Sequence, residues 1–405
     1  MKLELTGSKS IINRILCLAL YHNADVILNN VNFCTDVGEM LHLYDAVKFD
    51  YRIIQDQIFI YHTNFDYSQK IQIRINESGT CLRFALSFFA FNSFPEVTIL
   101  LGSRLAERPI IPLIKCLNRT GANITMHNGV IRIEKTKTIG KNFFLDEIDS
   151  SQYVSSLMML ISVPMTRMPI NCNLKNISSS YIKMTEDILT KFNTKIFSLN
   201  NTITIQKKLI IPLHISFETD YSTACYIFLY SMIMEKPIYI KKIHDFSQPD
   251  YKFLEVLKKI NFYIFEDDDY VSIDINMISP LENLLIDMKD MPDQIITLAF
   301  LAFCLHFTVN ITGCESLSLK ESDRVKGIIK NIKLLGGHAD YSNGILSITP
   351  SYEDPLECEL LTFRDHRFAM TFWVMKQKFS YLAIDYLGCI DKSYLGFRKL
   401  IDKLK

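Results

Sequence analysis

The chain has 405 residues, 48% of them apolar and 22% charged, with 44 basic side chains balanced by 44 acidic ones. This composition excludes a disordered polymer, and the charge balance excludes a general attraction to nucleic acid or to a membrane surface. The length suits two domains better than one core. Ten cysteines between Cys17 and Cys389 include no Cys-x-x-Cys pair and no zinc-type spacing with His. Reduced, packed thiols in a cytoplasmic protein are therefore expected. The most apolar run, residues 295–305, falls well short of the roughly 20 residues a membrane span needs. Residues 1–8 are too few and too polar for a secretory leader.

In chain order, a first helix is predicted over 11–20, entered through Gly7-Ser8-Lys9-Ser10 and carrying Arg14 one turn in. Residues 39–61 then show a pattern that recurs: an amphipathic helix, a short strand, a polar reversal and a second strand. Gly79-Thr80 opens a helix bearing Arg83. Arg104 and Arg108 flank the start of a helix led by Pro109, and the pattern repeats over 110–133 with an Asn128-Gly129 turn. Ser150-Ser151-Gln152 opens the helix over 153–161, and a third copy follows at 183–205. Asp220, Ser222 and Thr223 open another helix, with a fourth copy at 253–275. Its Asp267-Asp268-Asp269 reads as a solvent-facing turn, since no further metal ligand lies close in sequence. Pro292 and Asp293 begin the apolar helix over 295–305. Lys320-Glu321-Ser322-Asp323-Arg324 precedes a fifth copy at 325–348, and Asp365-His366-Arg367 opens the last helix. Copies recur roughly every 70 residues, a spacing that favours packed copies closing into globules over an open solenoid.

The basic residues gather at helix starts, beside Gly, Ser or Thr. A cation there costs a helix about 0.3–1 kcal/mol, whereas an anion is welcome. Arg14, Arg83, Arg324 and Arg367 all sit at this disfavoured position. Together they point to a pocket for several negative oxygens, which Arg grips with paired hydrogen bonds. The competing reading is pairing with nearby acids, such as Glu107 or Asp365. A kinase, a phosphatase or a phosphate-binding module would fit the same pattern, but neither a G-x-x-x-x-G-K-[ST] nor a G-x-G-x-x-G loop is present.

The motifs GSKSIINR (7–14), ESGTCLR (77–83), GSRLAERPI (102–110), SSQY (150–153), SSSY (178–181), ETDYSTA (218–224), PDQ (292–294), KESDR (320–324), DHRFAM (365–370) and KSY (392–394) occur in this order. With them the chain resembles 5-enolpyruvylshikimate-3-phosphate synthases over nearly its whole length. The resemblance implies an α/β (α+β) fold of two domains, each of three βαβαββ-type repeats, with the active site in the interdomain cleft. It implies one domain from residues 9–217 and a second, discontinuous one from 1–8 and 218–405. The implied reaction moves the enolpyruvyl group of phosphoenolpyruvate to the 5-hydroxyl of shikimate 3-phosphate and releases phosphate, by addition and elimination through a tetrahedral ketal. No metal or organic cofactor is needed, and a monomer with no nucleic-acid or membrane partner is expected.

Residue by residue, the resemblance implies that Lys9, Ser10, Arg14, Ser150, Ser151, Gln152, Ser178, Tyr181, Asp293, Ser316 and Lys320 hold shikimate 3-phosphate. Lys9, Gly79, Arg108, Gln152, Arg324, Arg367 and Lys392 would hold phosphoenolpyruvate. Asp293 is expected to take the hydroxyl proton, and Glu321 or Lys9 to protonate the methylene carbon. The chain departs from the common pattern at Glu77, Ser316, Ser318 and Leu395. Two alternatives remain: the sibling transferase acting on a UDP-sugar, whose catalytic-cysteine loop is not seen, and a non-catalytic relative that only binds phosphorylated ligands.

Overall fold

The computed structural model describes all residues except 136–139, 147, 164–167, 173–178, 207–208, 244–247, 275–283 and 352. The chain forms two compact units, Lys9–Phe217 and the pair Met1–Ser8 with Glu218–Lys405.

In the continuous unit, α1 (Lys9–His22), α2 (Thr35–Ala46), α3 (Gly79–Ala90), α4 (Ser103–Glu107), α5 (Ile111–Arg119), α6 (Ser151–Ile161) and α7 (Ser180–Lys191) alternate with three four-stranded sheets. The sheets share one plan. In the second, Ile71–Ile75 runs parallel to Glu96–Leu101, and the hairpin Asn123–His127/Val130–Glu134 adds two antiparallel strands. Parallel neighbours need a crossover helix and antiparallel ones only a turn, so each repeat reads βαβαββ. Turn chemistry agrees: Asn128-Gly129 and Asn200-Asn201 hold φ of 49°, 72°, 48° and 61°, as hairpin reversals demand. In the first sheet the leading strand comes from the far end of the unit, where His214–Ser216 pairs with Val26–Asn29.

The discontinuous unit holds α8 (Tyr221–Ile233), α9 (Phe253–Lys259), α10 (Ile295–Cys304), α11 (Arg324–Leu334), α12 (His366–Lys378) and α13 (Phe397–Asp402). Two of its sheets are four-stranded. The amino-terminal strand Lys2–Leu3 supplies the parallel edge of one, beside Tyr239–Lys241. Among the described residues the remaining sheet is Glu359–Leu360 beside Ala383–Ile384. After it the chain forms a 3-10 turn, Gly388–Lys392, and then α13, entered through Gly396 at φ 79°. No alternating run with an Asn-Gly type reversal follows, so this repeat stops at βαβα.

Each unit is built on three inner helices that touch one another, α1, α3 and α6 in one and α8, α10 and α12 in the other. All ten residues of α10 are buried, the pattern of a helix surrounded by protein. Among the described residues no helix is long and apolar enough to cross a membrane. The helix expected to start at Pro109 begins instead at Ile111. The carbonyl of Pro109 accepts from Arg83 Nη2 and from the Tyr153 hydroxyl, both at 2.6 Å, and is thereby kept out of the helix.

Candidate active site

In the discontinuous unit the residues expected to act share one ion-pair network. Asp293 sits in a 3-10 turn, Pro292–Gln294, directly before α10. Its Oδ1 accepts from Lys320 Nζ at 3.2 Å and Arg324 Nη1 at 2.8 Å, and its Oδ2 from Arg367 Nη2 at 3.1 Å. Glu321 is held by Lys392 Nζ and Arg324 Nη2, each at 3.1 Å. Arg324, 1% exposed, is the hub. It touches Asp293 and Glu321 and also donates Nε to Asp365 at 2.8 Å. Asp365 caps α12 by accepting the Arg367 backbone N–H at 2.9 Å. The pairing that proximity suggested, Asp365 with the guanidinium of Arg367, is thus replaced by one with Arg324, 41 residues away.

Burial works against the charge on Asp293, but Lys320, Arg367 and Arg324 outweigh it and hold the carboxyl well below its usual range. Burial likewise opposes the charge on Arg324, and Asp365, Asp293 and Glu321 more than offset it, so the guanidinium is locked in its charged form. The second oxygen-seeking end of Arg367, Nη1, reaches the Tyr226 hydroxyl at 3.3 Å. Behind the network, buried Asp250 accepts from Gln294 Nε2 at 2.5 Å. Sequence reasoning passed over Asp250, although Gln248-Pro249-Asp250 echoes the Pro292-Asp293-Gln294 turn. Ser316 lies outside this network as the residue before a 3-10 turn, Leu317–Leu319. Ser318 and Leu395 are exposed.

In the continuous unit three groups form. Lys9 begins α1 and pairs with Asp36 at 2.8 Å, both largely buried. Arg14 is 2% exposed. It donates to Thr185 Oγ1 at 2.8 Å, Ser10 O at 2.7 Å, Tyr181 O at 3.3 Å and Ser155 Oγ at 3.4 Å. Burial lowers its pKa to about 10. Arg14 thus ties α1 to α6 and α7. Arg83 and Arg108 flank Gly79: a Cβ there would lie 2.6 Å from Arg83 Nη1 and 2.8 Å from Arg108 Nη1. Only glycine lets two guanidinium groups close over the start of α3. Gln152 donates Nε2 to Thr80 Oγ1 at 2.9 Å, which joins the start of α6 to that of α3. Its Oε1 is buried without a hydrogen-bond partner among the described residues. Ser150 caps α6 through the Gln152 N–H, and Ser151 is the first helical residue. Ser178 lies outside the described residues.

Arg104 pairs with Glu107 at 2.7 Å on the exposed surface, while Arg83 is buried beside Gly79. Glu77 is an exposed residue whose backbone N–H is taken by Glu39. Among the described residues no group of His, Cys, Asp and Glu is placed to hold a metal ion.

Within the discontinuous unit, Lys320, Arg324, Arg367 and Lys392 can gather anionic oxygens beside the two carboxylates they grip, Asp293 and Glu321. The comparisons with known proteins agree with that chemistry. The sequence profile described as EPSP synthase (3-phosphoshikimate 1-carboxyvinyltransferase) matches residues 1–401. A 3-phosphoshikimate 1-carboxyvinyltransferase of Buchnera aphidicola subsp. Baizongia pistaciae is 28% identical over 98% of this chain and 95% of its own length. Another of Methanospirillum hungatei is 30% identical over 80% of this chain and 77% of its own. The solved structure of the EPSP synthase of Acinetobacter baumannii superposes with a TM-score of 0.80, covering 100% of this chain and 95% of that one at 17% identity. The profile match spans all but the last few residues, and this chain belongs to the EPSP synthase family.

Proposed function

We propose that the chain transfers the enolpyruvyl group of phosphoenolpyruvate to the 5-hydroxyl of shikimate 3-phosphate and releases phosphate, a step toward chorismate and the aromatic amino acids. The observation that carries the assignment of roles is the Asp293 carboxylate, gripped at once by Lys320, Arg324 and Arg367. A carboxylate so held is a poor base. The carboxylate and phosphate of an incoming substrate compete for the same guanidinium groups. Once they draw Arg324 and Arg367 away, Asp293 regains basicity next to the hydroxyl it must deprotonate. Glu321 accepts from Lys392 and Arg324 in the free protein; once the substrate's anions draw those cations away it takes up a proton and supplies it to the methylene carbon, with the Lys9 ammonium as the other donor. In the elimination the methyl carbon of the tetrahedral ketal gives a proton back to the group that supplied it, the C–O bond to phosphate breaks, and the proton taken up by Asp293 leaves with the phosphate, which leaves the enol ether.

Lys9, Ser10, Ser150, Ser151, Gln152, Ser178 and Tyr181 are assigned to shikimate 3-phosphate, with Arg14 fixing the Ser10 and Tyr181 backbone. Gly79, Arg108, Arg324, Arg367 and Lys392 are assigned to phosphoenolpyruvate. Two phosphates and two carboxylates must be held close together, and preorganised cations remove the repulsion that would otherwise keep them apart. We take the protein to act as a monomer in the cytoplasm.

The test is release of inorganic phosphate from phosphoenolpyruvate, measured with shikimate 3-phosphate and, separately, with a UDP-N-acetylhexosamine as acceptor. Release with the first alone supports the proposal. Release with the sugar nucleotide alone, or binding of shikimate 3-phosphate with no release, refutes it.

A further inference from the structure

The loop before Gly79 is held by a carboxylate with no assigned role. Glu39 lies on α2 and is 3% exposed. Its Oε1 accepts the backbone N–H groups of Asn76 at 2.7 Å and Glu77 at 3.0 Å, and its Oε2 accepts that of Ser78 at 2.7 Å. Three successive amides ahead of a helix form the kind of concave donor set that usually receives a ligand's anion. Here the protein's own carboxylate fills it. All three partners are N–H donors and both oxygens accept, so the ionised form fits and a protonated one would set O–H against N–H. Burial pushes the Glu39 carboxyl upward, and the three amides oppose that shift.

The cost of burying this charge is offset by charge-assisted hydrogen bonds, and the geometry shows what they fix. Ser78 is the residue before α3 and caps it through Cys81 N–H at 3.2 Å. Gly79 follows, with the two guanidinium groups closed over it. On the other side, Gly102 packs so tightly that a Cβ would lie 2.3 Å from the Asn76 carbonyl oxygen, and its N–H bonds to Ile75 O at 2.9 Å. The loop is therefore clamped between Glu39 and the Gly102 backbone. Arg83 is tied to it through Gly79 O at 3.0 Å.

We propose that Glu39 is a positioning residue for phosphoenolpyruvate: it sets the height of the 76–79 loop and, through Gly79, the placement of Arg83 and Arg108 against the substrate's anionic oxygens. This rests on the functional reading above. Glu39 itself touches no substrate.

The decisive variant is Glu39→Gln. It keeps the shape and one accepting oxygen, but its NH2 must face a backbone N–H. A displacement of about an ångström in a binding group costs roughly tenfold to a hundredfold. The expected result is a KM for phosphoenolpyruvate raised about tenfold, with KM for shikimate 3-phosphate and kcat within about threefold. A purely structural role would lower the active fraction and leave both KM values unchanged, or raise both alike. Either pattern overturns the proposal. A second measurement needs no turnover: titration of inorganic phosphate by 31P NMR, expected to weaken about tenfold in Glu39→Gln. If the unmodified protein shows no phosphate release with shikimate 3-phosphate, the functional reading fails on its own. Unchanged phosphate affinity in Glu39→Gln would then still refute the role of Glu39.

Discussion

Asp293 shows how one side chain carries both stability and chemistry. Its pKa in the folded protein lies below that of the unfolded chain. Its contribution to stability is therefore complete above about pH 4, the range of an unfolded carboxylate. It is lost as pH falls through the folded value. Asp293→Asn is expected to flatten the acid limb of the denaturant-measured stability curve below about pH 4. The same change should lower kcat by about 10²–10⁴-fold while calorimetry finds shikimate 3-phosphate affinity within a few-fold. Turnover retained within a few-fold of the parent would remove Asp293 from the role of base. At Gly79 the expected effect is on affinity. The atoms a new methyl would strike are the far ends of Arg83 and Arg108, which can swing aside at no great cost to folding. Gly79→Ala should thus raise KM for phosphoenolpyruvate by about tenfold or more, through a lost paired hydrogen bond. The melting temperature should change little.

At the scale of elements, buried polar ties hold the inner helices in register. Arg14 joins α1 to α6 and α7, and the 2.8 Å bond from its Nε to Thr185 is the shortest of its links to another helix. Thr185→Val keeps the shape and strands that donor. It is expected to cost about 1–3 kcal/mol in urea unfolding, with KM for shikimate 3-phosphate rising as Ser10 and Tyr181 loosen. An unchanged unfolding midpoint would show that water replaces the hydroxyl. Many of these elements were readable in advance. The five helix–strand–turn–strand copies are local signals, a switch from a 3.6 to a 2.0 period closed by Asn-Gly or its equivalents, and each corresponds to a hairpin-bearing sheet. The partners of Glu39 were not readable. They are backbone amides 37 to 39 positions away, and a backbone amide leaves no mark in side-chain chemistry.

The whole molecule depends on strands that pair far from where they lie in sequence. His214–Ser216 completes a sheet at the opposite end of its unit, beside Val26–Asn29. Lys2–Leu3 does the same beside Tyr239–Lys241, and the Asp220 N–H bonds to Thr6 O at 3.0 Å. A fragment of residues 9–217 contains every strand of its three sheets. It is expected to fold alone and to unfold cooperatively by circular dichroism. A fragment of residues 218–405 lacks Lys2–Leu3, leaves the edge at Tyr239–Lys241 unpaired, and should be less stable and prone to associate. Equal stability of the 218–405 fragment with and without an added 1–8 peptide would contradict this.

The sequence by itself determined the repeating helices and hairpins, the placing of cations at helix starts, and the family, because periodicity, turn residues and motifs are all written within a few residues of one another. Only the tertiary structure decided which charges meet. Arg324 could have answered Glu321 alone, three residues away, yet it also binds Asp293 and Asp365, 31 and 41 residues distant. Lys9 answers Asp36, and Glu39 answers a loop rather than a cation. Coulomb attraction depends on separation in space, and the packing of the inner helices, not the order of residues, sets that separation.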